Sequence, residues 1–243
     1  MPEGPSIIIL KEQVQIFKGK EIIEVSGNSK EDIQRLNGLV ITDFKSWGKH
    51  LLICFRTFTV RVHLMLFGSY RINEHKDAIP RMSLKFKNGG LSFYACSIKI
   101  FDETPDEIYD WSEDVMSDRW NPGAASRKLQ EQPDTLVCDA LLDQRIFAGV
   151  GNIIKNEVLF RIKVHPESIV GRLPTKKMNE LIKEVRIYCF QFLEWKKNFE
   201  LKKHWLANTK KICPRDKVPF IKEYLGKTNR RTFYCNICQV FYK

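Results

Sequence analysis

The first candidate chemistry lies at the start of the chain, which reads Met-Pro-Glu-Gly-Pro. Methionine ahead of a small residue is ordinarily trimmed, which would leave Pro2 with a free secondary amine. An α-amine has a reference pKa of about 7.7–8.0 against about 10.4 for lysine, so far more of it is unprotonated at neutral pH. Such an amine can attack an electrophilic carbon and form an iminium, a cation that serves as an electron sink. Glu3 stands beside it. Most chains that open Met-Pro carry no such chemistry, and an acid at position 3 is also an ordinary start to a helix.

Metal-ligand spacing appears near the other end. Cys235 and Cys238 form one Cys-x-x-Cys knuckle, and Cys213 begins a second whose partner position is held by Asp216. A closed tetrahedral zinc site needs four such ligands, and a carboxylate can be one of them. The expectation is structural zinc on Cys213, Asp216, Cys235 and Cys238; the competing reading is a metal-free hairpin held by Phe220, Phe233 and Tyr234. Between these ends, Gly149 and Gly151 flank Val150 just ahead of Asn152. Backbone N–H groups and the Asn152 amide at a helix N-terminus can hold a phosphate, although the same glycines also suit a plain helix-to-helix turn.

These residues need elements to position them. Ile7, Leu10, Val14 and Phe17 recur at helical spacing, predicting a helix that begins near Pro5-Ser6 and points its N-terminus at Pro2 and Glu3. From about residue 22 to 101 the period changes to two, as in "FTVRVHLML", and "MSLKFKNGGLSFYA" predicts a hairpin turning at Asn88-Gly89-Gly90. Beyond about residue 122 the pattern is helical. Short helices at "SRKLQEQ" and "TLVCDALLDQ", the second started by Asp134 or Thr135, precede "NIIKNEVLFRIKV" and a long helix from about Thr175. The fold class expected is α+β.

Charge narrows the partner. The formal net charge over 243 residues is +11. Residues 196–243 hold 13 Lys and Arg against 3 acids, a net of +10, whereas 101–118 hold eight acids and no Lys or Arg. Aromatic residues interleave the cationic tail, which favours nucleic acid over an anionic membrane. No apolar run approaches the ~20 residues of a membrane span, and the start lacks the blocks of a signal peptide. The reading is a cytoplasmic, membrane-free chain, with an odd count of seven cysteines arguing against a disulfide framework. Cys54, Cys96, Cys138 and Cys189 sit among apolar neighbours and are expected as buried small hydrophobes.

Taken together, "PEGP", "WGKHLL", "HLMLFGSY", "LLDQRIFAGVGNIIKNEVLF" and "NRRTFYCNICQ" resemble the formamidopyrimidine-DNA glycosylase and endonuclease VIII family of base-excision repair enzymes. The parts follow the family's order across nearly the whole chain. The resemblance implies a bifunctional DNA glycosylase and abasic-site lyase acting on damaged double-stranded DNA as a monomer. It makes Pro2 the nucleophile toward the sugar C1′, Glu3 the general acid and base, and Lys49, Asn152 and Arg230 a phosphate clamp, with Lys49 and Arg230 counted among the catalytic residues. Arg231 is the neighbouring competitor, and the offset from Cys235 decides for Arg230. Gln144 joins the DNA-contacting set. Met65, Leu66 and Phe67 correspond to a loop that fills the gap in the duplex, with strand core as their alternative.

The implied domains are a catalytic β-sandwich with its N-terminal helix over 1–118, a linker over 119–130, a helix-two-turn-helix domain over 131–200, and a zinc-finger-like β-hairpin over 201–243. Two departures favour the endonuclease VIII branch and oxidised pyrimidines. The arginine-bearing loop of the purine-lesion branch is absent where "ACSIKIFDE" stands, and the segment from Lys197 to Ile212 is short for a loop that covers a flipped purine. Ser6 stands where many relatives carry glutamate. The rival readings are a DNA-binding relative without catalysis and an RNA-binding zinc-ribbon protein.

Overall fold

The helical stripe Ile7, Leu10, Val14 and Phe17 is fully buried, as its spacing predicts. In the computed structural model, which describes residues 2–243, helix α1 spans Gly4–Val14. Glu3 precedes it, and its carbonyl accepts the N–H of Ser6 at 2.8 Å. Proline in the first turn suits this start, because that N–H has no helical partner to lose.

Eight antiparallel strands follow: β1 Glu24–Ser26, β2 Asp43–Trp47, β3 His50–Cys54, β4 Thr59–His63, β5 Ser69–Ile72, β6 Met82–Phe86, β7 Gly89–Tyr94 and β8 Ser97–Phe101. One sheet runs β1-β6-β7-β5 and the other β2-β3-β4-β8. Alternate residues of both, among them Leu51, Ile53, Val60, Val62, Leu84 and Phe93, meet α1 in one apolar core. Residues two apart share a sheet face, so the period-two pattern places these side chains inward. The β6–β7 hairpin pairs Phe86 with Gly89. Lys87 and Asn88 are therefore its turn, one residue earlier than expected, and Gly89 and Gly90 belong to β7.

The chain divides into two compact units, 1–110 and 111–243. The short helix α2, Pro105–Ile108, closes the first. The second contains α3 Pro122–Gln130, α4 Val137–Ala140, α5 Asn152–Arg161 and α6 Thr175–Lys197, then a hairpin of β9 Ile221–Leu225 and β10 Arg230–Tyr234. The stretch expected as a linker over 119–130 thus holds α3, capped by Asn121, whose Oδ1 accepts the Ala124 N–H at 3.0 Å. Ala125 and Leu129 on its inner face join the core of the second unit with Val158, Val185 and Tyr188. A helix with an apolar face is buried rather than left as a tether, which moves the boundary back to Asp110. Helix α4 starts at Val137 behind Leu136, two residues after the expected Thr135. Among the described residues no helix is long and apolar enough to cross a membrane.

Candidate functional site

In the first unit, Pro2 is half-buried and Glu3 has no exposed surface. Both immediately precede the N-terminus of α1, where the helix dipole favours a carboxylate and disfavours a protonated amine.

Lys49 occupies the two-residue turn between β2 and β3, opposite the Trp47–His50 pair. Gly48 takes the first turn position with φ 53°, a value most side chains resist. Lys49 is flanked by an aromatic cluster. His50 meets His63 edge-on at 5.0 Å, and Trp47 stacks on Tyr109 at 4.8 Å. Burial pushes the His50 imidazole down to about 3, helped by the charge of Arg61, by His63 and by Lys49. His63 is lowered by burial, then by Lys49 and Arg61. Both rings are neutral near pH 7, so Lys49 is not opposed by a second cation from either.

The tetrapeptide Leu64–Phe67 separates core from surface. Leu64 is 4% exposed, whereas Met65, Leu66 and Phe67 are 51%, 44% and 83% exposed. The turn is closed by the Gly68 N–H donating to the Leu64 carbonyl at 2.7 Å. A Cβ at Gly68 would collide with that carbonyl, so glycine is required there. Three apolar side chains are thereby held in water, contrary to the alternative that put Leu66 in the strand core. They form an exposed apolar tip between β4 and β5.

In the second unit, the glycine turn leads directly into α5. Gln144, expected to touch DNA, is used inside this turn. Its Nε2 donates to the Leu142 and Val150 carbonyls at 2.7 and 3.1 Å, and its Oε1 accepts the Gly149 N–H at 3.1 Å. Asn152 opens α5 and donates from Nδ2 to the Arg231 carbonyl at 2.8 Å, leaving a second amide hydrogen for another acceptor. Asn152 is therefore adjacent to the Arg230–Arg231 start of β10. The two arginines differ. Arg231 donates to Tyr224 Oη at 3.1 Å and lies over its ring. Arg230 is exposed, and among the described residues its guanidinium makes no hydrogen bond or ion pair.

Sequence reasoning missed the polar stripe behind this pair. Lys155, Asn156 and Glu157 are buried on α5. Glu157 accepts the N–H groups of Leu206, Ala207 and Asn208 at 2.9, 2.9 and 2.7 Å, although burial still raises its pKa. Asn156 donates to Asn208 and Lys155 to Thr232. The signal was present in "IIKNEVLF", where three polar residues interrupt an apolar run.

Cys213, Asp216, Cys235 and Cys238 place one ligand atom each within 4.8 Å of one another. Cys213 Sγ lies 3.9 Å from Cys238 Sγ, and the Asp216 Oδ2 lies 3.4 and 3.2 Å from the sulfurs of Cys213 and Cys235. Tetrahedral zinc with ordinary bond lengths has edges of about 3.8 Å between sulfurs and about 3.5 Å from sulfur to oxygen. The four residues fit zinc, with Asp216 completing the set. Arg215 spans this cluster and the end of α5, donating to the Phe160 carbonyl at 2.8 Å while lying 3.6 Å from Cys238 Sγ.

Comparison with known proteins bears on the same residues. Residues 1–97 match the formamidopyrimidine-DNA glycosylase N-terminal domain, and residues 112–197 match the formamidopyrimidine-DNA glycosylase H2TH domain. Endonuclease 8-like 3 of Xenopus laevis is 30% identical over 94% of this chain and 39% of its own length. Endonuclease 8-like 2 of Bos taurus is 33% identical over 74% of this chain and 58% of its own. The chain thus spans roughly two fifths to three fifths of these relatives. A viral DNA glycosylase shares the fold at 21% identity and a TM-score of 0.83, covering 98% of this chain and all of the other. The Lactococcus lactis formamidopyrimidine-DNA glycosylase bound to DNA with an abasic site does so at 19% identity and a TM-score of 0.84, covering 98% and 99%.

Proposed function

The chain belongs to the formamidopyrimidine-DNA glycosylase and endonuclease VIII family, among its endonuclease 8-like members, and from that premise we propose that it excises oxidised bases from DNA and cleaves the abasic strand. The observation that carries the reading is Glu3, a carboxylate with no exposed surface at the N-cap of α1 and adjacent to Pro2.

In this reaction the Pro2 nitrogen forms a bond to C1′, the bond from C1′ to the base breaks, and the base leaves with a proton. Opening of the sugar gives the iminium. Its positive nitrogen acidifies C2′, and loss of that proton expels the 3′-phosphate, cutting the strand. Glu3 moves the protons at the opening sugar and at C2′. Lys49, Asn152 and Arg230 grip the phosphates, and Met65, Leu66 and Phe67 fill the vacated stack. Gln144 acts by shaping the turn ahead of Asn152. Zinc on Cys213, Asp216, Cys235 and Cys238 would supply a crosslink that fixes the hairpin carrying Arg230. Duplex DNA with an oxidised pyrimidine is the favoured substrate, bound by a monomer.

Borohydride trapping tests the central step. Reduction of the iminium should leave protein covalently joined to abasic DNA, with the adduct on the N-terminal peptide. An N-terminal extension that acylates Pro2 should abolish adduct and cleavage while leaving DNA affinity in place. An adduct on Lys49 or on the basic tail, with Pro2 unmodified, would defeat the assignment.

A further inference from the structure

Lys155 is 1% exposed, an unusual position for an ammonium group. A buried charge is tolerated where it is hydrogen-bonded, and one of its partners lies on β10. Lys155 Nζ donates to Thr232 Oγ1 at 2.7 Å. The Thr232 hydroxyl in turn donates to the carbonyl of Arg230 at 3.0 Å. One residue along, the Arg231 carbonyl accepts from Asn152 at 2.8 Å and from Asn156 at 3.4 Å. Two consecutive carbonyls at the start of β10 are therefore gripped from the polar side of α5.

The backbone is held where the side chain is not. Arg230 and Arg231 are exposed, whereas Thr232 is buried. Arg231 is steadied by Tyr224. Arg230 has no such support among the described residues, and the direction of its side chain depends on the set of its own peptide unit. A long flexible cation loses entropy when it is fixed on a phosphate, and a pre-set backbone reduces that loss.

We propose that Lys155 is a positioning residue for DNA binding: through Thr232 it fixes the backbone that presents Arg230 to a phosphate of the damaged strand. The inference rests on the reading of Arg230 as a phosphate contact. Lys155 itself touches no DNA in this scheme. It acts as the anchored end of a relay from ammonium to hydroxyl to carbonyl, and the relay carries no proton transfer. A merely structural brace would support the fold without favouring Arg230, and that difference can be measured.

The experiment measures binding of a duplex containing a tetrahydrofuran abasic analogue, at stepped salt, with melting temperatures recorded in parallel. The variants are Arg230→Ala, Lys155→Met, Thr232→Val, Thr232→Ser, and the first combined with each of the next two. Arg230→Ala should weaken binding and lower the slope of log affinity against log salt by about 0.9, the signature of one lost phosphate contact. Lys155→Met and Thr232→Val should each weaken binding about five- to tenfold, on the scale of one ordinary hydrogen bond, and reduce the same slope. Neither should weaken binding further when Arg230 is already alanine. Thr232→Ser, which returns the hydroxyl, should recover most of the loss. Thr232→Val keeps the shape of the residue and so answers the question even where Lys155→Met does not fold. Lower melting temperature with unchanged affinity and slope, or losses that multiply with Arg230→Ala, would overturn the positioning role alone. An Arg230→Ala variant that binds as wild type does would overturn the phosphate reading beneath it.

Discussion

At the scale of single residues, the proposed role of Glu3 rests on a carboxylate buried next to Pro2 at the N-terminus of α1. Its carbonyl starts α1, and its side chain is removed from solvent. Glu3→Gln keeps the shape and the neighbouring amine but removes the proton carrier. Excision of an oxidised base should fall by about two to four orders of magnitude, the usual worth of general acid–base catalysis. Borohydride trapping on a preformed abasic site should survive in part, because the base has already left. Equal loss in both assays would assign Glu3 to the nucleophilic step instead. Single residues also separate the two arginines of β10: Arg231 is tied to Tyr224, and among the described residues Arg230 has no such tie.

At the scale of elements, the wedge turn and the cysteine hairpin make separate predictions. Met65, Leu66 and Phe67 project from a turn that Gly68 closes, so their substitution leaves the core intact. Met65→Ala and Phe67→Ala should change stability by no more than about 0.5 kcal/mol, as exposed positions do. They should slow excision from duplex more than from single-stranded DNA, since only the duplex leaves a gap to fill. Equal slowing on both substrates would remove the wedge role. For the hairpin, Cys213 and Cys235 are fully buried and converge with Asp216 and Cys238. Metal analysis should find about one zinc per chain, lost in Cys235→Ser together with a fall in melting temperature. A metal-free protein that is folded and binds lesion DNA normally would exclude the site.

At the scale of the whole molecule, two connections, one in each unit, bear on the size of the base that is excised. In the first unit, β7 and β8 are joined only by Ala95 and Cys96. In the second, the segment after α6 is pinned, because Glu157 holds the N–H groups of residues 206–208. Neither connection offers a free loop to cover a flipped purine. Thymine glycol or dihydrouracil should therefore be excised faster than 8-oxoguanine paired with cytosine, measured as single-turnover rates on matched duplexes. A clear preference for 8-oxoguanine would reverse the assignment of substrate.

The α+β class, the α1 stripe, the strand period, the metal spacing and the family motifs were legible in the sequence because each rests on local spacing. A period of 3.6 or 2 and a Cys-x-x-Asp gap are properties of neighbours along the chain. The boundary at Asp110 and the burial of α3 were not legible, since they depend on which apolar face finds a partner. The same is true of Gln144, whose amide could face DNA or its own turn until the turn closed around it. Leu64 and Leu66 look alike as letters, and only the sharp turn to Gly68 sends one inward and leaves the other in water. Lys155 shows the limit most clearly. In sequence it is one of many lysines in a basic chain, and only the packing of α5 against β10, residues 77 apart, turns it into a buried donor to Thr232. Local pattern sets the elements and their chemistry; long-range contact decides which polar groups are buried, and burial decides what each must bind.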